Sequence, residues 1–321
     1  MKWGDGSALV DWCYLGAERF SEPFFDGTIE RAQSRPFNGL FTHRTSISEA
    51  GEWCAASPGM EPAGFIFHMS RCGSTLVSQM LAALLDTVVI SEASPIDWLA
   101  RAGWIPEPVR GEWLRWVVSA LGQKRAGTET RYFIKFDSAS TIALQFIRRV
   151  FTPVPWVFLY RDPDEVMVSH MREAAAAVTP GVITDCAAID NPMAEVLTMS
   201  REEFAARVIG RWCQSTLSTL STMDGRGMLV NYTQLPEAVE GAIARHFGME
   251  LSPDEKALMR RVTARDAKRP ALPFSADGEA KRREASDAMR EAAAKWIGPY
   301  YAELERMRVR ASPESFKLGL R

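Results

Sequence analysis

The sequence lacks most of the features that assign a chain at a glance. Its five cysteines (Cys13, Cys54, Cys72, Cys186 and Cys213) are odd in number and scattered, with no CxxC pair and no Cys/His cluster at zinc-ligand spacing. A disulfide framework and a structural zinc are therefore not expected, and reduced thiols in a cytoplasmic protein are the simplest reading. The first residues, MKWGDGSALVDWCYLG, have neither the apolar core nor the small-residue cleavage site of a secretion signal. No run approaches the ~18 uninterrupted apolar residues of a spanning helix. Basic charge is not in excess: 38 Lys and Arg face 40 Asp and Glu, a net charge of −2. That balance disfavours a general nucleic-acid binder, although a local basic pocket for a small anion stays compatible with it. Internal repeats and low-complexity tracts are missing as well. A cytoplasmic globular protein with no membrane and no nucleic-acid partner is the expectation, its oligomeric state open.

What is present is an alternation. Residues 1–60 mix aromatics with turn residues (FSEPFFDG, SRPFNG, ASPGMEPAG) and read as an irregular N-terminal layer. Short apolar runs then alternate with helical patterns. GFIFHM (64–69), TVVIS (87–91), RYFIKF (131–136), VPWVFLY (154–160) and GMLVNY (227–232) read as buried strands, with helices at 73–85, 138–150, 163–178 and 199–222 between them. Such alternation implies βαβ units, a mainly parallel sheet and ligands at the carboxyl ends of its strands. Beyond residue 233 the pattern is helical and charged, clearest at Pro253–Arg265 and Ala280–Arg308. Between these, KRPALPFSADG (268–278) has the composition of a loop long enough to cover a site. No domain boundary is visible, so one α/β domain spans 1–321: an N-terminal layer, a nucleotide-binding core over 63–240, and helical decoration over 241–321.

The strand GFIFHM runs into SRCGST and then into the helical pattern TLVSQMLAALL. A strand, a turn of small residues and a helix start make an anion site. The first helical N–H groups are unpaired, and the helix dipole adds roughly half a positive charge there. Gly73 permits close backbone approach, Ser74 and Thr75 add hydroxyls, and Arg71 offers a forked guanidinium for a tetrahedral oxyanion. Aligned on the triphosphate loop GxxxxGK[ST], however, His68 stands at the first Gly and Ser74 at the Lys. Without that lysine a magnesium-dependent kinase or ATPase is disfavoured, and a small-molecule kinase is kept as the alternative function.

The run FIFHMSRCGSTL resembles the 5′-phosphosulfate loop of the P-loop-like sulfotransferases, here of bacterial type. VFLYRDPDEVMVSHMRE (157–173) is similar to that family's 3′-phosphate segment, with Arg161 and Ser169 eight residues apart as the pattern requires. MLVNYTQLPEAV (228–239) resembles, more loosely, the family's late strand ending in a Tyr, and Trp212 falls near a Trp of its preceding helix. The resemblance covers about residues 63–240. It implies the sulfotransferase fold and 3′-phosphoadenosine-5′-phosphosulfate as donor, with no metal. It also implies that Arg71, Cys72, Gly73, Ser74 and Thr75 hold the phosphosulfate, Arg161 and Ser169 the 3′-phosphate, and Tyr232 the adenine. The family's late Arg-Lys-Gly motif is absent, which leaves its phosphate-binding task to Lys268, Arg269 or Lys281.

The implied reaction moves a sulfuryl group to a hydroxyl or amine of a small-molecule or peptide acceptor. Arg71 is the candidate for neutralising the leaving oxygens, and a hydroxyl acceptor needs a base. Glu92 follows TVVIS and lies 21 residues beyond Arg71, which resembles the catalytic Glu of tyrosylprotein sulfotransferases. Asp137 is its rival: Lys135-Phe136-Asp137 stands where cytosolic members carry Lys-x-His, and Lys135 is a further donor contact. An Asp near its ordinary pKa of about 3.9 is a poor base at neutral pH, which favours Glu92, though burial raises either acid. His68 and His170 flank the two loops and read as structural. Aromatics in PFF (23–25), Trp98, Trp104 and IGPYY (297–301) are candidates for an acceptor pocket and equally for core. A non-catalytic module binding 3′-phosphoadenosine nucleotides is the remaining alternative.

Overall fold

The computed structural model describes residues 2–4, 7–173, 175–180, 182, 193–222, 225–269, 271–273, 275 and 277–311. Cys186, part of the 268–278 loop and the last ten residues lie outside them. The N-terminal layer is ordered rather than irregular. Strands β1 (Lys2–Gly4), β2 (Ser7–Trp12) and β3 (His43–Ser46) form an antiparallel sheet in the order β1-β2-β3. Local capping explains why turn-rich sequence folds here. Ser46 accepts the N–H of Glu49 while the Glu49 carboxylate takes the N–H of Ser46, starting the helix Ile47–Ala56. Pro36 opens the short helix Pro36–Leu40.

The five expected strands all form: β4 (Gly64–His68), β5 (Thr87–Ser91), β6 (Arg131–Lys135), β7 (Trp156–Tyr160) and β8 (Gly227–Asn231). They make one parallel sheet in the order β5-β6-β4-β7-β8. Every residue of β4, β5 and β7 is buried, so side chains on both faces must be covered by helices. That demand explains why these strands read as unbroken apolar runs. β4 sits in the middle. The chain first builds on one side of it with β5 and β6, then crosses to add β7 and β8 on the other. A crevice opens where the strand order reverses, at the carboxyl end of β4.

The helices Ser74–Ala82, Pro163–Arg172 and Arg201–Thr222 form near their expected bounds, and 138–150 is a 3₁₀ turn (Ser138–Ala143) leading into Leu144–Val150. Two differences matter. The helix expected to run to 178 stops at Arg172, where Glu173 turns extended (φ −144°, ψ 98°). The helix expected over 280–308 is three: Gly278–Glu284, Asp287–Trp296 and Gly298–Ala311. Ser286 accepts the Met289 N–H and so starts a new helix, and Gly298-Pro299 starts another. Ser94–Arg101 and Glu107–Leu121 are additional helices, each with a proline in its first turn. Among the described residues no helix is long and apolar enough to cross a membrane.

Arg148 governs how the chain enters β7. It is completely buried and its guanidinium donates to the carbonyls of Phe151 (3.1 Å), Thr152 (2.7 Å) and Val154. A buried carbonyl left unpaired costs about 1–3 kcal/mol. Part of that is offset in a substitution, because the buried charge disappears too. We therefore expect Arg148→Met to destabilise the fold by about 2–4 kcal/mol. Urea denaturation checks this, and a midpoint equal to wild type would show that the three carbonyls do not depend on the side chain.

Candidate functional site

After β4 the chain turns sharply into the helix Ser74–Ala82. Ser70 (φ 67°), Arg71 (φ 51°) and Gly73 (φ 84°) all lie in the left-handed region. For the two non-glycine residues this costs on the order of 1–3 kcal/mol each, a strain concentrated at functional sites. At Gly73 glycine is also required for space, since a Cβ would stand 2.7 Å from Leu235 Cδ1 and 2.9 Å from Tyr232 Cδ2. As the N-cap, Gly73 offers no side-chain acceptor. The N–H groups of Ser74, Thr75 and Leu76 find no backbone carbonyl either, and the Ser74 and Thr75 hydroxyls have no hydrogen-bond partner among the described residues. The helix thus presents an unsatisfied N-terminus, the arrangement that binds anions.

Two side chains brace the turn. His68 Nδ1 accepts the Ser70 N–H at 3.0 Å, so the proton sits on Nε2, which faces the Phe136 carbonyl at 3.0 Å. Burial, foremost, lowers the pKa of His68 and keeps the ring neutral. Cys72 is buried and its thiol donates to the Leu159 carbonyl at 3.1 Å. Burial pushes that thiol up to about 12. It is a packed, unreactive group, and Cys72 serves the loop through its backbone.

The loop forms one wall of a cavity of about 950 Å³. Residues at the carboxyl ends of four more strands line it: Glu92 after β5, Asp137 after β6, Arg161 after β7 and Tyr232 after β8. Ser169 joins them from the helix Pro163–Arg172. Lys135 is the exception among the selected residues. It is fully buried and does not reach the cavity surface, because its ammonium lies in an ion pair with Glu92.

At one end of the cavity Arg161 bonds Glu165 and, at 3.1 Å, Asp277, with its guanidinium 4.0 Å above the Tyr232 ring. Lys281 pairs with Asp277 at 2.6 Å and Arg282 with Glu165. The Ser169 hydroxyl donates to the Glu165 carbonyl at 2.7 Å. Of the three C-terminal cations raised by the sequence, Lys281 is the one brought beside Arg161 through their shared Asp277. Three cations meet two carboxylates here, which leaves a net positive end open to an anion.

At the other end Arg71 donates to the Glu173 carbonyl (2.6 Å) and carboxylate (2.8 Å). Glu92 holds a left-handed backbone (φ 54°) and faces both Lys135 and, at 3.5 Å, His68. Burial alone would raise Glu92, but the Lys135 charge and the His68 bond outweigh it and hold the carboxyl well below its ordinary range. Asp137 behaves oppositely. Burial and then the Glu92 charge push it up. Its Oδ1 accepts the Ala139 N–H at 2.7 Å, and its own N–H is held by Asp97 at 3.0 Å. The two carboxylates are thus driven apart: Asp137 has the greater proton affinity, and Glu92 is the counter-ion of Lys135.

Several site residues escaped sequence reading. Asp97 is buried, orients Asp137 and Ser140, and is raised by burial and the Asp137 charge. Glu173 and Asp277 are counter-ions supplied by a helix end and a distant loop, and no local motif marks them. Phe24 alone among the candidate acceptor aromatics named above lines the cavity. Trp98 packs on Trp104 outside it, and Trp212 is buried in the core. Arg265, Asp266, Ala267, Lys268, Arg269, Ser275 and Asp277, among the described residues of 265–277, line another wall.

No protein-family model and no curated protein matches the chain. Among solved structures, a sulfotransferase from Mycobacterium avium is similar at 14% identity, over 87% of this chain and 82% of that one, with a TM-score of 0.52. The fold is that of a sulfotransferase. A sulfotransferase from Alicyclobacillus acidocaldarius also matches, at 12% identity over 79% of this chain and 98% of that one, with a TM-score of 0.49. At such identities the likeness concerns the α/β architecture, a five-stranded parallel sheet flanked by helices.

His170 yields a test of the site's electrostatics. It is fully buried, and neither ring nitrogen has a hydrogen-bond partner among the described residues. Burial, then the Arg71 and Lys268 charges, lower its pKa to about 3. The unfolded chain, with a pKa near ~6.5, therefore binds more protons than the folded one between about pH 6.5 and 3. Stability falls as pH drops through that window, by up to about 1.4 kcal/mol per pH unit from this group. His170→Phe should flatten the decline measured by urea denaturation from pH 7.5 to 4.5. An unchanged slope would mean that His170 is not buried neutral.

Proposed function

We propose that this chain is a sulfotransferase that takes 3′-phosphoadenosine-5′-phosphosulfate as donor and an alcohol or amine as acceptor. The observation that carries the reading is the pairing, in one cavity, of an uncapped helix N-terminus with a second cationic end built from Arg161, Ser169 and Lys281. A nucleotide with anionic groups at both its 5′ and 3′ positions fits those two ends. The residues present suit it: unpaired N–H donors and the Ser74 and Thr75 hydroxyls at one pole, and a net positive cluster beside an aromatic ring at the other.

Bound there, the donor would supply a sulfuryl group carried on its 5′-phosphate. The helix N–H groups and Arg71 would hold that end, with Arg71 exchanging the exposed Glu173 carboxylate for the ligand. Arg161 and Lys281 would exchange Asp277 for the 3′-phosphate, and Tyr232 would offer the nucleoside an aromatic face already fixed by Arg161. Asp137, with its raised proton affinity, would accept the acceptor's proton, and Asp97 would keep it aimed. Glu92 and Lys135 would set the local charge. A sulfuryl group carries less charge than a phosphoryl group, so cations and N–H donors suffice to stabilise its transfer.

Calorimetric titration with adenosine 3′,5′-bisphosphate, against ATP–Mg²⁺ as comparison, tests the donor assignment. Arg161→Ala should cost about 2–5 kcal/mol of bisphosphate affinity, at least roughly a 30-fold rise in Kd. Adenosine 5′-phosphate should bind both proteins alike. Unchanged bisphosphate affinity in a folded variant would remove Arg161 from the 3′ site, and preference for ATP–Mg²⁺ would turn the reading to a kinase.

The two carboxylates are separated by turnover. A general base contributes typically ~10²–10⁴-fold to rate. Asp137→Asn should lose that factor while keeping donor affinity, whereas Glu92→Gln, by releasing Lys135, should disturb donor binding as well as rate. The reverse pattern, a dead Glu92→Gln with normal donor affinity beside an active Asp137→Asn, would return the base to Glu92.

A further inference from the structure

The phosphosulfate loop has Ser74 where triphosphate loops have a lysine, and its one cation, Arg71, is engaged with Glu173. Many cations around the cavity are matched to carboxylates: Arg161 to Glu165 and Asp277, Lys281 to Asp277, Arg172 to Glu284, and Lys135 beneath it to Glu92, whereas the exposed Arg269 has no ion pair among the described residues. Lys268 also differs. Its ammonium has no hydrogen bond or ion pair among the described residues, although it lines the cavity. An Asp266 carboxylate that accepts the N–H groups of both Lys268 (3.0 Å) and Arg269 (2.8 Å) sets the backbone that presents it. The ammonium lies 5.9 Å from the centre of the Phe24 ring, and that of Lys135 lies 5.1 Å from the same centre. Lys268 therefore shares the Phe24 ring with Lys135, within reach of the charges of Arg71 and Glu92.

We propose that Lys268 supplies a second cation beside Arg71, contacting the sulfuryl group and its bridging oxygen. This inference rests on the donor reading above. In the transfer the sulfur–oxygen bond to the 5′-phosphate breaks, and its electron pair stays on the phosphate oxygen. A new bond joins sulfur to the acceptor oxygen or nitrogen, whose proton leaves to a carboxylate. Negative charge grows on the bridging oxygen, and an ammonium beside it stabilises that growth without a change in its own protonation. The unliganded environment agrees with a cation awaiting an anion. Burial, then the charges of Arg71 and Lys135, lower the pKa of Lys268 to about 8, against the opposing carboxylates of Glu92 and Glu173. The residue as a whole remains exposed, so its stem leaves room for the ammonium to follow a ligand.

Two measurements that need no turnover test this. In calorimetry, Lys268→Met should weaken binding of 3′-phosphoadenosine-5′-phosphosulfate at least tenfold, and binding of adenosine 3′,5′-bisphosphate less than threefold. In the wild-type chain, acetic anhydride labelling read by peptide mass spectrometry should show Lys268 titrating near pH 8. The sulfated donor should protect it strongly and the bisphosphate weakly. Lys268→Arg should restore most of the donor affinity. Equal losses for both nucleotides would make Lys268 a general phosphate contact, and no loss for either would make it a bystander. Both results overturn the proposal and leave the donor reading standing. A wild-type chain that binds neither nucleotide would overturn the donor reading and this one with it.

Discussion

A parallel sheet covered by helices on both faces has one place to put polar chemistry, the edge where its strands end. In this chain the interiors of β4, β5 and β7 are wholly buried and apolar, and the polar residues begin where the strands stop: His68, Glu92, Lys135, Arg161 and Tyr232. Five segments far apart in sequence are thereby delivered to one region of the fold, where polar pairs such as Lys135–Glu92 and Arg71–Glu173 then join them. The strained turn at Ser70–Gly73 follows from the same geometry. The chain must reverse from the central strand into a helix within a few residues, and the left-handed backbone that achieves it leaves the helix N–H groups uncovered. Strain at the turn and an anion site are two aspects of one solution.

Charge balance is the second organising feature. Buried or half-buried cations without counter-ions repel one another and lose hydration, so an empty anion site is costly. The fold meets this cost with its own carboxylates. Glu173 and Asp277 occupy Arg71, Arg161 and Lys281, and both carboxylates are well exposed and therefore replaceable. Glu165 is buried between Arg161 and Arg282 and reads as permanent. This internal matching is why a chain of net charge −2 can gather so many cations around one cavity, and why composition was silent about it.

The sequence made the sheet legible because buried parallel strands are short apolar runs, and the strand–turn–helix units at 64–82 and 156–172 were legible because each is contiguous. Tyr232 and the stretch 131–137 followed from their places at strand ends. The N-terminal layer was not legible, since its structure rests on capping by Ser46 and Glu49 and on pairing of β2 with β3, about thirty residues away. The single helix expected over 280–308 failed for a related reason: helical periodicity continues across Ser286 and Gly298, while caps decide where helices begin. Counter-ions such as Asp277 were invisible because nothing local in the sequence distinguishes a paired carboxylate from a solvated one.

The same limit governs the choice between Glu92 and Asp137, where sequence spacing and physical environment disagree. Spacing compares positions along a chain, whereas proton affinity is set by what surrounds a carboxylate in space. Glu92 lies against the ammonium of Lys135 and the ring of His68, two donors that stabilise its charged form. Among the described residues Asp137 has no ion pair; it shares a buried corner with Asp97 and feels the charge of Glu92 itself. Placing one carboxylate on a lysine thus raises its neighbour: the pair that lowers Glu92 also fixes a negative charge beside Asp137. A site arranged this way drives two acids of similar intrinsic strength apart in proton affinity, one held charged by its lysine and the other raised beside it.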